Sequence, residues 1–150
     1  MTQEGAGIDL ETSLGYLLKE ASSALRAAME EALRPLGLTV TQYSCMELLA
    51  QRPGLSASDL ARGAFVTRQS MNVVLQGLDQ DGLVARAAEP AVGRTLPTRL
   101  TPRGRETLDR ATAAVRGVEV RMLDGMSEAE QAEALRLLRS MLRSLRDAGA

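Results

Sequence analysis

Apolar residues recur along most of the chain at spacings of three and four, the period of helices that bury one face. Leu14, Leu17, Leu18, Ala21, Leu25, Ala28 and Ala32 trace the first stripe, which Pro35 and Gly37 stop. Thr39 can cap a second helix carrying Tyr43, Met46, Leu49 and Ala50, and Pro53-Gly54 closes it. Ser56 caps a short third helix with Leu60, Ala61 and Ala64. After a turn at Phe65-Val66, Thr67 caps a fourth helix with Met71, Val74, Leu75 and Leu78 on one face, ended by Asp81-Gly82. The period then changes. Leu83-Val84 leads into a strand, Glu89-Pro90 and Val92-Gly93 are turn-forming, and Leu96 to Leu100 returns extended. Pro97 confines that second run to a sheet edge. Thr101 and Pro102 supply the N-cap and first residue of a fifth helix, striped by Leu108, Ala111, Val115, Val118 and Met122. Ser127 to Glu130 is a capping box that opens a sixth, with Leu135, Leu138, Met141, Leu142 and Leu145.

The order is four helices, one hairpin and two helices. It predicts a mainly α fold with a small β-hairpin wing: a winged helix-turn-helix flanked by N- and C-terminal dimerisation helices. A chain of 150 residues has room for one domain. Within it, residues 10–36 and 102–147 form the flanking helices and 38–101 the winged lobe. The two end segments carry more apolar surface than a small lobe can bury, and symmetric pairing of two copies is the commonest way to cover it. A homodimer is therefore expected; the competing arrangement is a monomer whose ends pack on each other.

Composition narrows the chemistry. Apolar residues make up 45% and charged residues 25%, the proportions of an ordinary globular protein. No apolar run approaches the roughly 18 residues of a membrane span, and the acidic start MTQEGAGIDLE lacks a signal-peptide layout. A cytoplasmic protein with no membrane contact is expected. With one cysteine and no histidine, His-based acid–base catalysis, Ser/His and Cys/His pairs and the usual zinc sets are all excluded. Nor is there a P-loop or nucleophile elbow. The expectation is no enzyme, no cofactor and no metal site.

The net charge of −1 argues against nucleic acid until it is divided along the chain. Residues 1–51 hold 3 basic and 7 acidic residues, 52–105 hold 8 and 4, and 106–150 hold 7 and 8. A centre of +4 thus lies between acidic ends, a distribution suited to meeting phosphates. All but one of the chain's basic residues are arginine, whose planar fork matches phosphate and guanine.

Residues 56–78, SASDLARGAFVTRQSMNVVLQGL, have the layout of a helix-turn-helix. Small Ala61 sits where two helices approach, Val66 and Met71 can plug the space between them, and the second helix begins at Thr67. Its first turns present Arg68, Gln69, Ser70 and Asn72, types that bond base edges or phosphates from the start of a recognition helix. Thr67 itself can touch phosphate. In the hairpin, Arg94 lies at the tip, where it can enter a narrow minor groove. Arg62, Arg86 and Arg99 are candidates for backbone contact.

At this point the chain resembles the MarR family of winged-helix transcriptional regulators, from about Leu10 to Leu145. The markers are LTVTQY (Leu38 to Tyr43), Leu60-Ala61, VTRQSMN (Val66 to Asn72), LDQDGLVAR (Leu78 to Arg86) and RLTPRG (Arg99 to Gly104). The resemblance implies a homodimer held by the first, fifth and sixth helices, and binding of a double-stranded operator through the fourth helix and wing. A ligand-relieved repressor is the usual role. It also implies a small anionic or aromatic effector between the dimerisation helices and the winged lobe, where Tyr16, Tyr43 and Met46 are candidate lining residues. Two positions depart from the pattern. Val92-Gly93-Arg94 replaces the family's Asp-any-Arg, leaving Arg94 without that charge partner. Phe65 stands where the turn often has Gly, and is expected to pack against the neighbouring helices. Cys45, on an amphipathic helix, reads as a small core residue rather than a redox sensor. A sequence-specific regulator is the leading reading; the alternative is a helical protein-interaction module without operator binding.

Overall fold

The computed structural model describes residues 7–86 and 98–148. Among them lie helix α1 (Leu14–Leu33), a 3-10 turn (Arg34–Leu36), α2 (Val40–Gln51), α3 (Ala57–Ala64) and α4 (Arg68–Gln80). Strands β1 (Val84–Arg86) and β2 (Thr98–Leu100) follow, then α5 (Pro102–Met122) and α6 (Glu128–Ala148). The order is the one expected: a mainly α fold with one hairpin.

Each of the six helices begins on a hydroxyl. Ser13, Thr39, Ser56, Thr67, Thr101 and Ser127 accept the backbone N–H three residues on, at 2.9–3.2 Å. Thr39/Gln42, Ser56/Asp59 and Ser127/Glu130 close reciprocal capping boxes. Such caps satisfy N–H groups that the first helical turn leaves unpaired.

The chain divides into two compact units, residues 1–118 and 119–150. In the first, Leu33, Met46, Leu60, Met71, Leu75, Leu78 and Val84 are fully buried, so α2, α3, α4 and β1 share one core with Leu108 and Ala111 of α5. Along the N-terminal half of α1, Leu14, Leu17 and Leu18 are exposed. In the second unit, the expected α6 stripe of Leu135, Leu138, Met141, Leu142 and Leu145 is likewise exposed. No helix among the described residues is long and apolar enough to cross a membrane.

The hairpin is anchored at its base. β1 and β2 pair antiparallel with Val84 opposite Leu100, Ala85 opposite Arg99 and Arg86 opposite Thr98. One residue beyond, Thr101 makes three bonds. Its N–H donates to the Leu83 carbonyl (3.1 Å), its hydroxyl donates to the Gly82 carbonyl (2.6 Å), and that oxygen accepts the Gly104 N–H (2.9 Å). The turn after α4 and the start of α5 therefore close on each other. Gly104 is buried there, and a Cβ on it would stand 1.9 Å from the Leu83 oxygen.

Candidate nucleic-acid interface

The α3–α4 pair is set by its buried faces and by the turn between them. Leu60 and Ala61 on α3 meet the same core as Met71, Leu75 and Leu78 on α4. Phe65 closes α3 in the left-handed region, with φ 60°. Its N–H donates to the Arg62 carbonyl (3.3 Å) and the Val66 N–H to the Ala61 carbonyl (3.0 Å). That paired arrangement terminates many helices and usually falls to glycine. Gly82, with φ 76°, performs the same closure after α4, where Gly82 and Leu83 donate to Asp79 and Leu78 at 3.0 and 2.9 Å.

The expectation that Phe65 packs against neighbouring helices is corrected: it is 86% exposed. The reversed backbone turns position 65 to solvent, and half-buried Val66 with fully buried Met71 fills the interior instead.

Thr67 begins α4 and is tied to Ser70 twice. Its oxygen accepts the Ser70 N–H, and its hydroxyl donates to Ser70 Oγ, both at 3.0 Å. Arg68, Gln69, Ser70 and Asn72 are all exposed, as a reading helix requires. Helical spacing shows which side chains stand furthest from the core. At about 100° per residue, Val73 lies within about 20° of directly opposite Met71 and Leu75, with Gln69 and Gln76 one turn before and after it, about 40–60° to one side. Val73 and Gln76, both exposed, are members of this face that the sequence pattern did not single out.

Arg86 and Arg99, on neighbouring strands, are exposed at the hairpin base, and Arg103 and Arg105 are exposed at the start of α5. Arg62 is exposed too, but its guanidinium pairs with the Asp59 carboxylate one turn earlier on α3. Asp59 is held below the ordinary carboxylate range by hydrogen bonds from the Ser56 hydroxyl and backbone, with the Arg62 charge adding to them. Arg94 and Val92 lie outside the described residues. No group of three or more His, Cys, Asp or Glu among the described residues is placed to hold a metal ion.

The three suggested effector contacts are placed differently from one another. Met46 is fully buried in the core, and Tyr16 on α1 is exposed. Tyr43 is nearly buried, and its hydroxyl donates to Glu47 Oε2 at 2.8 Å. The same oxygen accepts the Thr112 hydroxyl of α5 at 3.0 Å, and Oε1 accepts Gln51 Nε2 at 2.9 Å. Burial, then the Glu47 hydrogen bond and charge, push the Tyr43 phenol up to about 12. Burial raises Glu47, but hydrogen bonds from Gln51, Tyr43 and Thr112, with the Arg116 charge, outweigh it and leave that carboxyl below its usual range. Sequence reading missed this α2–α5 clasp. Cys45 is fully buried, and burial pushes its thiol up to about 12 against a smaller opposing effect of Arg86. A thiol so protonated is a poor nucleophile at neutral pH.

The chain as a whole is similar to known proteins. Residues 36–95 match the model of the MarR family. The HTH-type transcriptional repressor Rv2887 of Mycobacterium tuberculosis is 44% identical over 135 residues, covering 90% of this chain and 97% of the relative. The crystal structure of Rv2887 with DNA superposes with a TM-score of 0.74 at 42% identity, covering 87% of this chain and 98% of that one. The crystal structure with salicylic acid gives 0.73 at 45%, covering 87% and 96%.

Proposed function

The chain belongs to the MarR family, and from that premise we propose that it is a homodimeric, ligand-responsive repressor of transcription acting on a pseudo-palindromic DNA operator. The observation that carries this reading is α4 itself: a helix with one face sealed in the core and the other exposing Arg68, Gln69, Ser70 and Asn72 from a capped N-terminus. Polar side chains so arranged suit the major groove, where Arg pairs with guanine and Gln or Asn with adenine. Arg86 and Arg99 contact the phosphate backbone from the hairpin base, Arg94 enters the minor groove, and Thr67 adds a phosphate contact. Arg62 serves as a backbone contact while its charge is shared with Asp59. The exposed apolar face of α1 pairs with a second copy, together with α5 and α6. Two recognition helices then sit about 34–36 Å apart, one turn of DNA. The salicylate complex of the relative supports a small carboxylated aromatic as the class of effector, with exposed Tyr16 as a candidate direct contact and with Tyr43 and Met46 becoming contacts only when α2 shifts to uncover them. The protein works in the cytoplasm and catalyses no reaction.

Selection of duplexes from a random pool, followed by gel shift, tests the reading. Binding is expected to be sequence-selective and to fall steeply with salt, because several phosphates are neutralised. Arg68→Ala and Arg94→Ala should each weaken it roughly tenfold, the lower half of the range for losing a good base or groove contact. Failure to enrich any sequence, with a flat salt response, would leave a protein-interaction module as the better account.

A further inference from the structure

Between residues 19 and 119, the described structure exposes two large apolar side chains, Phe65 and Val73, and both belong to the helix-turn-helix. Phe65 has a local reason, since its backbone conformation closes α3. Val73 has none. A β-branched residue in the middle of a helix gains nothing from helix propensity, and at 65% exposure this one contributes little to the core. It stands at the centre of the outward face of α4, one turn from both Gln69 and Gln76. Its neighbour Val74 is partly buried against the core, so the helix has already used the valine that packing requires.

The major groove offers one apolar feature, the C5-methyl of thymine. Across the same A·T pair, beyond the thymine O4, lie the adenine N6 and N7 that a Gln side chain bonds in bidentate fashion. Resting on the DNA-binding reading above, we infer that Val73 is a specificity-determining residue that packs on a thymine methyl in each half-site, next to an adenine read by Gln69 or Gln76. The half-site core is accordingly A·T, with Arg68 at the helix start meeting a guanine that flanks it. Val73 provides discrimination that the polar residues around it do not: it recognises a group that distinguishes thymine from every other base edge in the groove.

The test removes the methyl without touching the hydrogen-bonding pattern. Duplexes selected by the wild-type protein are remade with each thymine in turn replaced by deoxyuridine, and affinities are measured by gel shift or fluorescence anisotropy. Loss of one buried methyl corresponds to about fourfold weaker binding per half-site, and about fifteenfold when both half-sites are changed. In Val73→Ala and Val73→Ser, the penalty at that thymine should shrink below about twofold while penalties elsewhere persist. Val73→Ser should melt with the wild type and Val73→Ala at or slightly above it, since position 73 is outside the core. A wild-type protein that binds selectively but shows no uracil penalty removed by either variant overturns this inference and leaves the regulator reading intact. A wild-type protein that selects no duplex overturns both.

Discussion

Replacing Gly104 with alanine reverses the sign that helix propensity gives. In an ordinary helical position the change stabilises by up to about 1 kcal/mol. At position 104 the new Cβ would stand 1.9 Å from the Leu83 carbonyl oxygen, a backbone atom with no rotamer by which to escape. Restoring ordinary contact requires the start of α5 and the turn after α4 to separate by more than about 1 Å. Over that distance the Thr101 N–H leaves the Leu83 carbonyl and the Thr101 hydroxyl leaves Gly82, bonds now at 3.1 and 2.6 Å. Overpacking costs about 1–3 kcal/mol and two lost hydrogen bonds about 1 kcal/mol each. With the propensity gain set against them, a net loss of about 2–4 kcal/mol is expected, lowering Tm by roughly 5–15 °C for a chain of this size. Thermal and urea unfolding at matched protein concentration measure it. Gly77→Ala is the internal control, because its Cβ would meet only Gln42 Nε2, at 3.9 Å, and should hold or raise stability. A Gly104→Ala protein that melts at or above the wild type would refute the argument that backbone contact at the hairpin base is close-packed.

Two further substitutions probe the same unit. Tyr43→Phe removes the hydroxyl that donates to Glu47 and should cost about 1 kcal/mol at neutral pH. A tyrosine held at about 12 against 10.0 when free favours folding fully below pH 10, and that share is lost as pH rises through about 12. Stability measured from pH 9 to 12 should therefore fall less steeply in the variant, Cys45 supplying the remainder; parallel curves would contradict the clasp. Phe65→Gly should stabilise by about 1 kcal/mol by relieving a left-handed non-glycine backbone, read as a higher urea midpoint; a lower midpoint would show that the ring contributes packing after all.

The starts of α2 to α6 were legible because each is written in a few consecutive residues: a Ser or Thr, with Gln, Asp or Glu three positions on in three cases; the Ser13 cap of α1 was not read. The core stripe of α4 was legible for the same reason, since Met71, Leu75 and Leu78 lie one turn apart. What remained hidden depends on direction or on distance along the chain. The helical period already sets Val74 with Met71, Leu75 and Leu78, but it does not single out Val73 as a large apolar side chain left uncovered on the opposite face. Phe65 reads as buried by its chemistry, whereas its position in the closing turn of α3 puts it in solvent. Glu47 reads as one more solvated carboxylate of an amphipathic helix. Its partner Thr112 is 65 residues away, too far for any local pattern to connect them.

The cations of the interface are arginines throughout: residues 52–105 contain eight basic residues, none of them lysine, and the chain has no histidine. The lone lysine, Lys19, is exposed on α1. Guanidinium groups remain protonated at every physiological pH and offer no amine to an acetyltransferase. The positive charge of the reading surface is thus a constant of the molecule, indifferent to acidification within the physiological range and to lysine acetylation. Release from DNA therefore cannot come from deprotonating or acetylating these cations; it needs either a change in the separation or tilt of the two reading surfaces or negative charge brought in by something else.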